Sequence, residues 1–218
     1  MRNAYIVAGG TFDFDAFSAF LKEEKEYPYI IAADRGFISL SNHKIKIDCI
    51  IGDFDSAGEK MIDKAKEICD NVIVLNPIKD DTDTEAALDV AMKEVDGDIY
   101  IFAGTGTRLD HIYSNIQILY KALLRKKCAY LIDAHNKIQL CDRNSSKIII
   151  QSEQYGDYVS VFPMTETVHG ITMSGFKYSL SDFDLSIGTS RGQSNEIVEP
   201  SAEISVKDGV LVVIEAKD

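Results

Sequence analysis

Short, nearly unbroken apolar runs alternate with segments of helical period over the first part of the chain. Ala4 to Ala8 reads as a buried strand, and Asp13 to Glu24 as a helix with Phe17, Phe20, Leu21 and Glu24 at helical spacing. Tyr29 to Ala33 and Ile47 to Ile51 are the next strands. A helix over Ser56 to Asp70 carries Met61, Ile62, Ala65 and Ile68 on one face, and a fourth strand follows at Val72 to Leu75. Thr84, Ala87, Leu88, Ala91 and Val95 mark another helix, Asp98 to Phe102 a fifth strand, and Ile112, Asn115, Ile116, Leu119, Tyr120 and Leu123 one side of a third long helix. Strand and helix in alternation imply an open, Rossmann-like α/β domain.

Past Lys127 the helical period does not return. Cys128 to Ile132 and Lys137 to Leu140 are strands, followed by short β-like segments at Ile148 to Gln151, Tyr158 to Phe162, Gly170 to Met173, Phe176 to Leu180, Ala202 to Val206 and Val210 to Ile214. Lys207-Asp208-Gly209 between the last two is a hairpin turn signal. The expected architecture is an α/β domain over residues 1–136 and a small antiparallel β-sandwich or barrel over residues 137–218, without a flexible linker.

Composition narrows the functions. The 218 residues hold 23 basic and 35 acidic side chains, a formal net charge of −12. That balance argues against a nucleic-acid or anionic-membrane surface, because both need a positive field. No segment approaches the ~20 apolar residues of a membrane span, and the apolar run after Met1-Arg2-Asn3 is too brief for a signal sequence. The expected location is the cytoplasm. Cys49, Cys69, Cys128 and Cys141 form no C-x-x-C pair and suit free thiols in a reducing compartment.

Four polar clusters follow strands. They are Asp34-Arg35-Gly36, then Gly52-Asp53-Phe54-Asp55-Ser56, then Asp80-Asp81-Thr82-Asp83-Thr84-Glu85, and Gly104-Thr105-Gly106-Thr107-Arg108-Leu109-Asp110-His111. Carboxylates two residues apart on a turn repel unless a cation sits between them, and a hard ion such as Mg²⁺ with phosphate behind it is the natural partner. Thr82 and Glu85 have capping-box spacing, but three aspartates in four positions exceed what a helix start needs. Gly-Thr-Gly-Thr before a helix suits a phosphate nest, although neither Gly-Lys-Ser/Thr nor a third fingerprint glycine is present. Placed after strands, the clusters share the carboxyl edge where open α/β sheets bind ligands. In the β part, the run from Gly188 to Glu196 is rich in hydroxyl and amide groups that could read a heterocycle. His135 and His169 show no metal-ligand spacing and are read as turn residues.

Taken in order, Ala33-Asp34-Arg35-Gly36, Gly52-Asp53-Phe54-Asp55-Ser56, Asp81-Thr82-Asp83, Arg108-Leu109-Asp110-His111, Gly175-Phe176-Lys177-Tyr178 and Ser194-Asn195-Glu196 resemble the bacterial type of thiamine pyrophosphokinase. The resemblance spans nearly the whole chain. It implies transfer of pyrophosphate from ATP to thiamine, giving thiamine diphosphate and AMP, by a homodimer. It also implies that Asp53, Asp55, Asp83 and Asp81 hold Mg²⁺, the first three being catalytic. Thr82 and Arg108 would bind phosphate oxygens, with Asp34, Arg35, Asp110 and His111 on the nucleotide side. Ser194 and Asn195 would take the aminopyrimidine of thiamine, with Tyr178 beside them. Thr107 departs from the family, standing where a second glycine is usual. Asp53-Phe54-Asp55 also has the form of the aspartate pair of haloacid-dehalogenase-type phosphatases, but that pair follows a first strand and this one follows a third.

Overall fold

Apolar side chains fill both faces of six parallel strands: β1 (Ala4–Val7), β2 (Tyr29–Ala33), β3 (Cys49–Gly52), β4 (Val72–Val74), β5 (Ile99–Phe102) and β6 (Ala129–Ile132), in the spatial order β4-β3-β2-β1-β5-β6. The computed structural model describes residues 1–54, 59–76 and 81–218. These strands belong to the first of two compact units, Met1–Ala134 and His135–Asp218. Both faces are covered, so β1 and β3 are buried throughout and read in sequence as unbroken apolar runs. The covering helices are α1 (Phe14–Glu23), α2 (Gly36–Asn42), α3 (Glu59–Ile68), α4 (Asp83–Glu94) and α5 (Leu109–Leu124). The sequence-expected start of α3 at Ser56 lies outside the described residues.

Local chemistry fixes where helices begin. The Asp13 carboxylate accepts from Ala16 N at 2.7 Å and the Thr82 hydroxyl from Glu85 N at 3.2 Å, each satisfying an orphan amide of the first turn. The reciprocal half of the expected capping box is replaced by an ion pair, since Glu85 turns to Lys121 Nζ on α5 at 3.0 Å. α2 is an addition to the sequence reading; its seven residues bury Gly36, Phe37 and Leu40 with no side-chain cap at Arg35.

The amino ends of the strands are closed by polar ties. Asn3 Nδ2 donates to Glu24 at 2.8 Å, Asn3 Oδ1 accepts from Asp98 N at 2.8 Å, and the hydroxyl of fully buried Tyr5 donates to Glu24 at 2.8 Å. Beside them Asp48 accepts from Ile30 N at 3.0 Å and pairs with Arg2. Anchored at this edge, the sheet leaves its carboxyl edge for loops. β1 pairs with both β2 and β5, so chain direction across the sheet reverses there. An open α/β sheet forms its ligand crevice at such a point.

The second unit is a two-sheet antiparallel sandwich. β7 (Asn136–Asp142), β13 (Val210–Ala216) and β9 (Tyr158–Pro163) form one layer with β13 central. β11 (Leu180–Ser186), β10 (Thr167–Ser174), β12 (Ser201–Ser205) and β8 (Lys147–Ile150) form the other. Val159, Val161, Ile171, Ile204, Leu211 and Val213 meet between them in an apolar core. Two expectations are corrected. Lys207-Asp208-Gly209 does not close a hairpin, because β12 pairs with β10 and β8 while β13 pairs with β7 and β9. Gly209, at φ +87°, turns the chain from one layer into the other. Nor is Phe176 to Leu180 a strand; Phe176 makes an isolated bridge to Ile197, and the strand starts at Leu180. Among the described residues no helix is long and apolar enough to cross a membrane.

Candidate functional site

At the carboxyl edge of the first unit a cavity of about 340 Å³ opens where β1 and β5 lie side by side. Its wall is built from the loop after β1, Asp34 after β2, the start of α4, the loop after β5 and the first turns of α5. Two glycine-bearing loops are zipped together to make the floor, with Gly10 N donating to Ala103 O at 2.9 Å and Thr11 N to Thr105 O at 3.1 Å. A Cβ on Gly10 would lie 2.3 Å from Thr105 O and 2.4 Å from Ala103 O, so only glycine permits this approach. Buried Asn115 on α5 holds the second loop from behind, donating from Nδ2 to Gly104 O at 2.6 Å. These loops, beside the amino ends of α4 and α5, make a surface suited to an anion.

Carboxylates stand against that surface. Asp34 sits in the left-handed region at φ +50°, and its carboxylate is so close to Gly9 that a Cβ there would lie 2.9 Å from Oδ2. Gly52, at the end of β3, admits Asp83 in the same way, its missing Cβ being 3.4 Å from both Asp83 Oδ2 and Asp34 Cα. Burial pushes the Asp34 carboxyl above its ordinary pKa; the charges of Asp83 and Asp53 add to this, and a hydrogen bond from the Arg35 amide opposes it. Phe54, at φ +53° and buried, anchors the turn after Asp53 against Phe37. Asp55 lies outside the described residues. Among the described residues no three carboxylate, imidazole or thiol groups form a ready metal cage. Clustered carboxylate oxygens are nonetheless the donors a hard divalent cation takes, so the set fits Mg²⁺ in kind.

Of the sequence-expected residues, Asp34, Thr82, Asp83, Arg108 and His111 line the cavity, and Arg35, Asp53, Asp81 and Asp110 lie outside its lining. Arg108 grips Asp110 with two bonds, Nε to Oδ1 at 3.1 Å and Nη2 to Oδ2 at 2.5 Å. Asp110 also accepts from His111 N at 3.0 Å, and the guanidinium holds its carboxyl down at about 2. Thr107 also lines the cavity. Thr84 of the third polar cluster lines it as well, as do Gly9, Gly10, Ser114 and Asn115, which the sequence reading does not place at the site. For Gly9-Gly10 the signal was available, a glycine pair directly after the first strand; Asn115 was hidden on an apolar helix face.

In the β unit Ser194 adopts φ +56° and donates its amide to Ser160 Oγ at 2.9 Å. Asn195 is buried, and its side chain holds the backbone of Tyr178, whose own ring is exposed.

Comparison with known proteins gives a consistent answer. Residues 20–132 match the family model described as thiamin pyrophosphokinase, catalytic domain, and residues 145–211 match the thiamin pyrophosphokinase vitamin B1 binding domain. A thiamine pyrophosphokinase of Bacillus subtilis is 32% identical over 193 residues, 88% of this chain and 89% of its own. The crystal structure of thiamine pyrophosphokinase from Bacillus subtilis covers 100% of both chains at a TM-score of 0.87 and 32% identity. That of the enzyme from Geobacillus thermodenitrificans covers 100% of this chain and 98% of its own, at 0.85 and 28% identity.

Proposed function

The chain belongs to the thiamine pyrophosphokinase family and is an enzyme, and from that premise we propose that it transfers the pyrophosphoryl group of ATP to the primary hydroxyl of thiamine, releasing AMP and thiamine diphosphate. The observation that carries this reading is the meeting of two amide-rich glycine loops with Asp34 and Asp83 in one cavity at the β1–β5 switch point. An anionic chain of phosphates suits the loops, and the carboxylates oppose it unless a cation lies between.

In-line attack on a phosphorus atom asks the protein mainly to position two reactants and to neutralise charge. Gly9, Gly10 and the Gly104–Thr107 loop cradle the phosphates. The Thr82 oxygen already accepts the Glu85 amide, which leaves its hydroxyl hydrogen to donate to a phosphate oxygen. Arg108 spends two N–H groups on Asp110 and presents the others at the cavity wall. Asp34, Arg35, Asp110 and His111 form the nucleotide side. Asp53 and Asp83, with Asp55 and Asp81, would hold Mg²⁺, which when bound supplies positive charge against the phosphate oxygens. Residues 1–136 act as the ATP and metal domain and residues 137–218 as the thiamine domain, with Ser194, Asn195 and Tyr178 serving the vitamin. The enzyme works in the cytoplasm as a homodimer, each site combining the ATP domain of one chain with the thiamine domain of the other.

The test is to incubate the protein with ATP, Mg²⁺ and thiamine and to weigh the products. AMP and thiamine diphosphate should accumulate in equal amounts; ADP with thiamine monophosphate would overturn the reading.

A further inference from the structure

Asn195 is only 6% exposed, and its side-chain amide is spent on the main chain. Oδ1 accepts from Tyr178 N and from Glu196 N, both at 3.0 Å, and Nδ2 donates to Tyr178 O at 2.8 Å. A side-chain amide offers two acceptor and two donor positions, so a single N–H is left over. Recognition of an aminopyrimidine edge needs a donor and an acceptor together, which this residue no longer has. By bonding both the N–H and the C=O of Tyr178, the amide instead replaces a neighbouring strand.

The surrounding bonds make this a rigid mount. The main chain of Asn195 exchanges two bonds with Val159 on β9, at 2.9 and 2.8 Å, which seats it in the sandwich. Phe176 is bridged to Ile197, Lys177 N donates to Glu196 O at 2.9 Å, and Lys177 Nζ pairs with Glu196 at 2.7 Å. On this fixed backbone Tyr178 is 63% exposed. The Lys177 ammonium stands 5.8 Å from the ring centroid and is balanced by Glu196, so the ring carries no unpaired cation on that flank.

We propose that Asn195 is a positioning residue that acts on thiamine through Tyr178, holding the tyrosine ring as a preset platform for the substrate's cationic heterocycle. This rests on the reading of thiamine as acceptor. A ring already in place spares the substrate the entropy of ordering it, and its electron-rich face attracts a cation. The effect therefore falls on thiamine binding and spares ATP and the chemical step.

A double-mutant cycle separates action through Tyr178 from direct contact. Asn195→Ser and Tyr178→Ala should each raise the thiamine KM about tenfold, with kcat and the ATP KM within about twofold, and in the Tyr178→Ala background Asn195→Ser should add less than about twofold. Multiplying effects, or an unchanged thiamine KM in Asn195→Ser, overturn the proposal. The chain has no tryptophan, so Tyr178→Trp introduces a single indole reporter. Its fluorescence anisotropy should fall when Asn195→Ser is added; an unchanged value also overturns the proposal. If Asn195→Ser does not fold, Asn195→Asp replaces it with the same expectations, since it keeps both accepted bonds but sets a carboxylate oxygen against Tyr178 O in place of the donated N–H. Should the unaltered protein fail to turn over thiamine, the acceptor assignment falls by itself, and the anisotropy arm still decides whether Asn195 positions Tyr178.

Discussion

Gly10 donates its amide to the carbonyl of Ala103, and the 2.9 Å bond joins the loop after β1 to the loop after β5 with no room for a side chain. Gly10→Ala therefore drives a methyl group into two backbone carbonyls and parts the loops. The expected result is a rise of at least about tenfold in the ATP KM with little change in the thiamine KM, because a misplaced backbone weakens phosphate positioning first. Steady-state kinetics with each substrate varied in turn checks this.

Asp83→Asn and Asp53→Asn are each expected to lower kcat by about two orders of magnitude or more, the cost of several kcal/mol of charge stabilisation. Both residues sit at element ends, outside the hydrophobic core, so unfolding temperatures should change little. Near-normal turnover of either variant at saturating Mg²⁺ would remove that residue from the metal set.

Asp34 links function to stability. Its carboxyl titrates above the ordinary value because it is buried beside Asp83 and Asp53. A carboxyl with a raised folded pKa binds its proton more readily in the fold, so stability declines as pH rises through the range just above the ordinary carboxylate value. A neutral amide at this position carries no such penalty. The Asp34→Asn variant should therefore unfold at a higher temperature than the parent at about pH 7 in EDTA, and the gain should vanish near pH 3, where both states are protonated. Calorimetry across that range gives the answer, and a variant less stable than the parent at neutral pH would contradict the burial argument.

A shared site predicts complementation. Chains with Asp83→Asn and chains with Tyr178→Ala plus Asn195→Ala should each be nearly inactive at low thiamine. After subunit exchange a mixed dimer holds one site with both defects and one with neither, so about a quarter of normal activity should return. Heterodimers verified by mass that stay inactive would show that each chain completes its own site.

What the sequence disclosed follows from burial. Tyr29–Ala33 was readable to the residue because a strand covered on both faces is an apolar run. β11 was misplaced because of its seven residues only Leu185 is buried; Phe183 and Leu185 alternate with Asp182, Asp184 and Ser186, but two apolar positions are too short a run to mark a strand. α2 was missed because it has no capping side chain and is too short to show a period. At the candidate site, the aspartates around Asp83 are visible as an excess over capping needs, and Asp34 as part of a polar cluster that ends a strand. The contribution of Gly10 and Asn115 depends on bringing the ends of β1 and β5 together, and no local pattern reports that meeting. Asn195 stood out as a polar residue in a polar run, yet its burial and its hold on Tyr178 arise only once β9 lies alongside.

The turn at Gly209 bears on how the sandwich assembles. β12 and β13 are adjacent in sequence but enter different layers, so this last pair of strands cannot nucleate as a local hairpin. The closing strand, β13, must wait for distant partners: Val213 lies between Gln139 and Val161. The layer of β7, β13 and β9 is not finished until β13 arrives, and such non-local pairing slows folding. During synthesis the second unit is thus committed late, and a chain stopped short of Val210 leaves β7 and β9 without the strand that joins them.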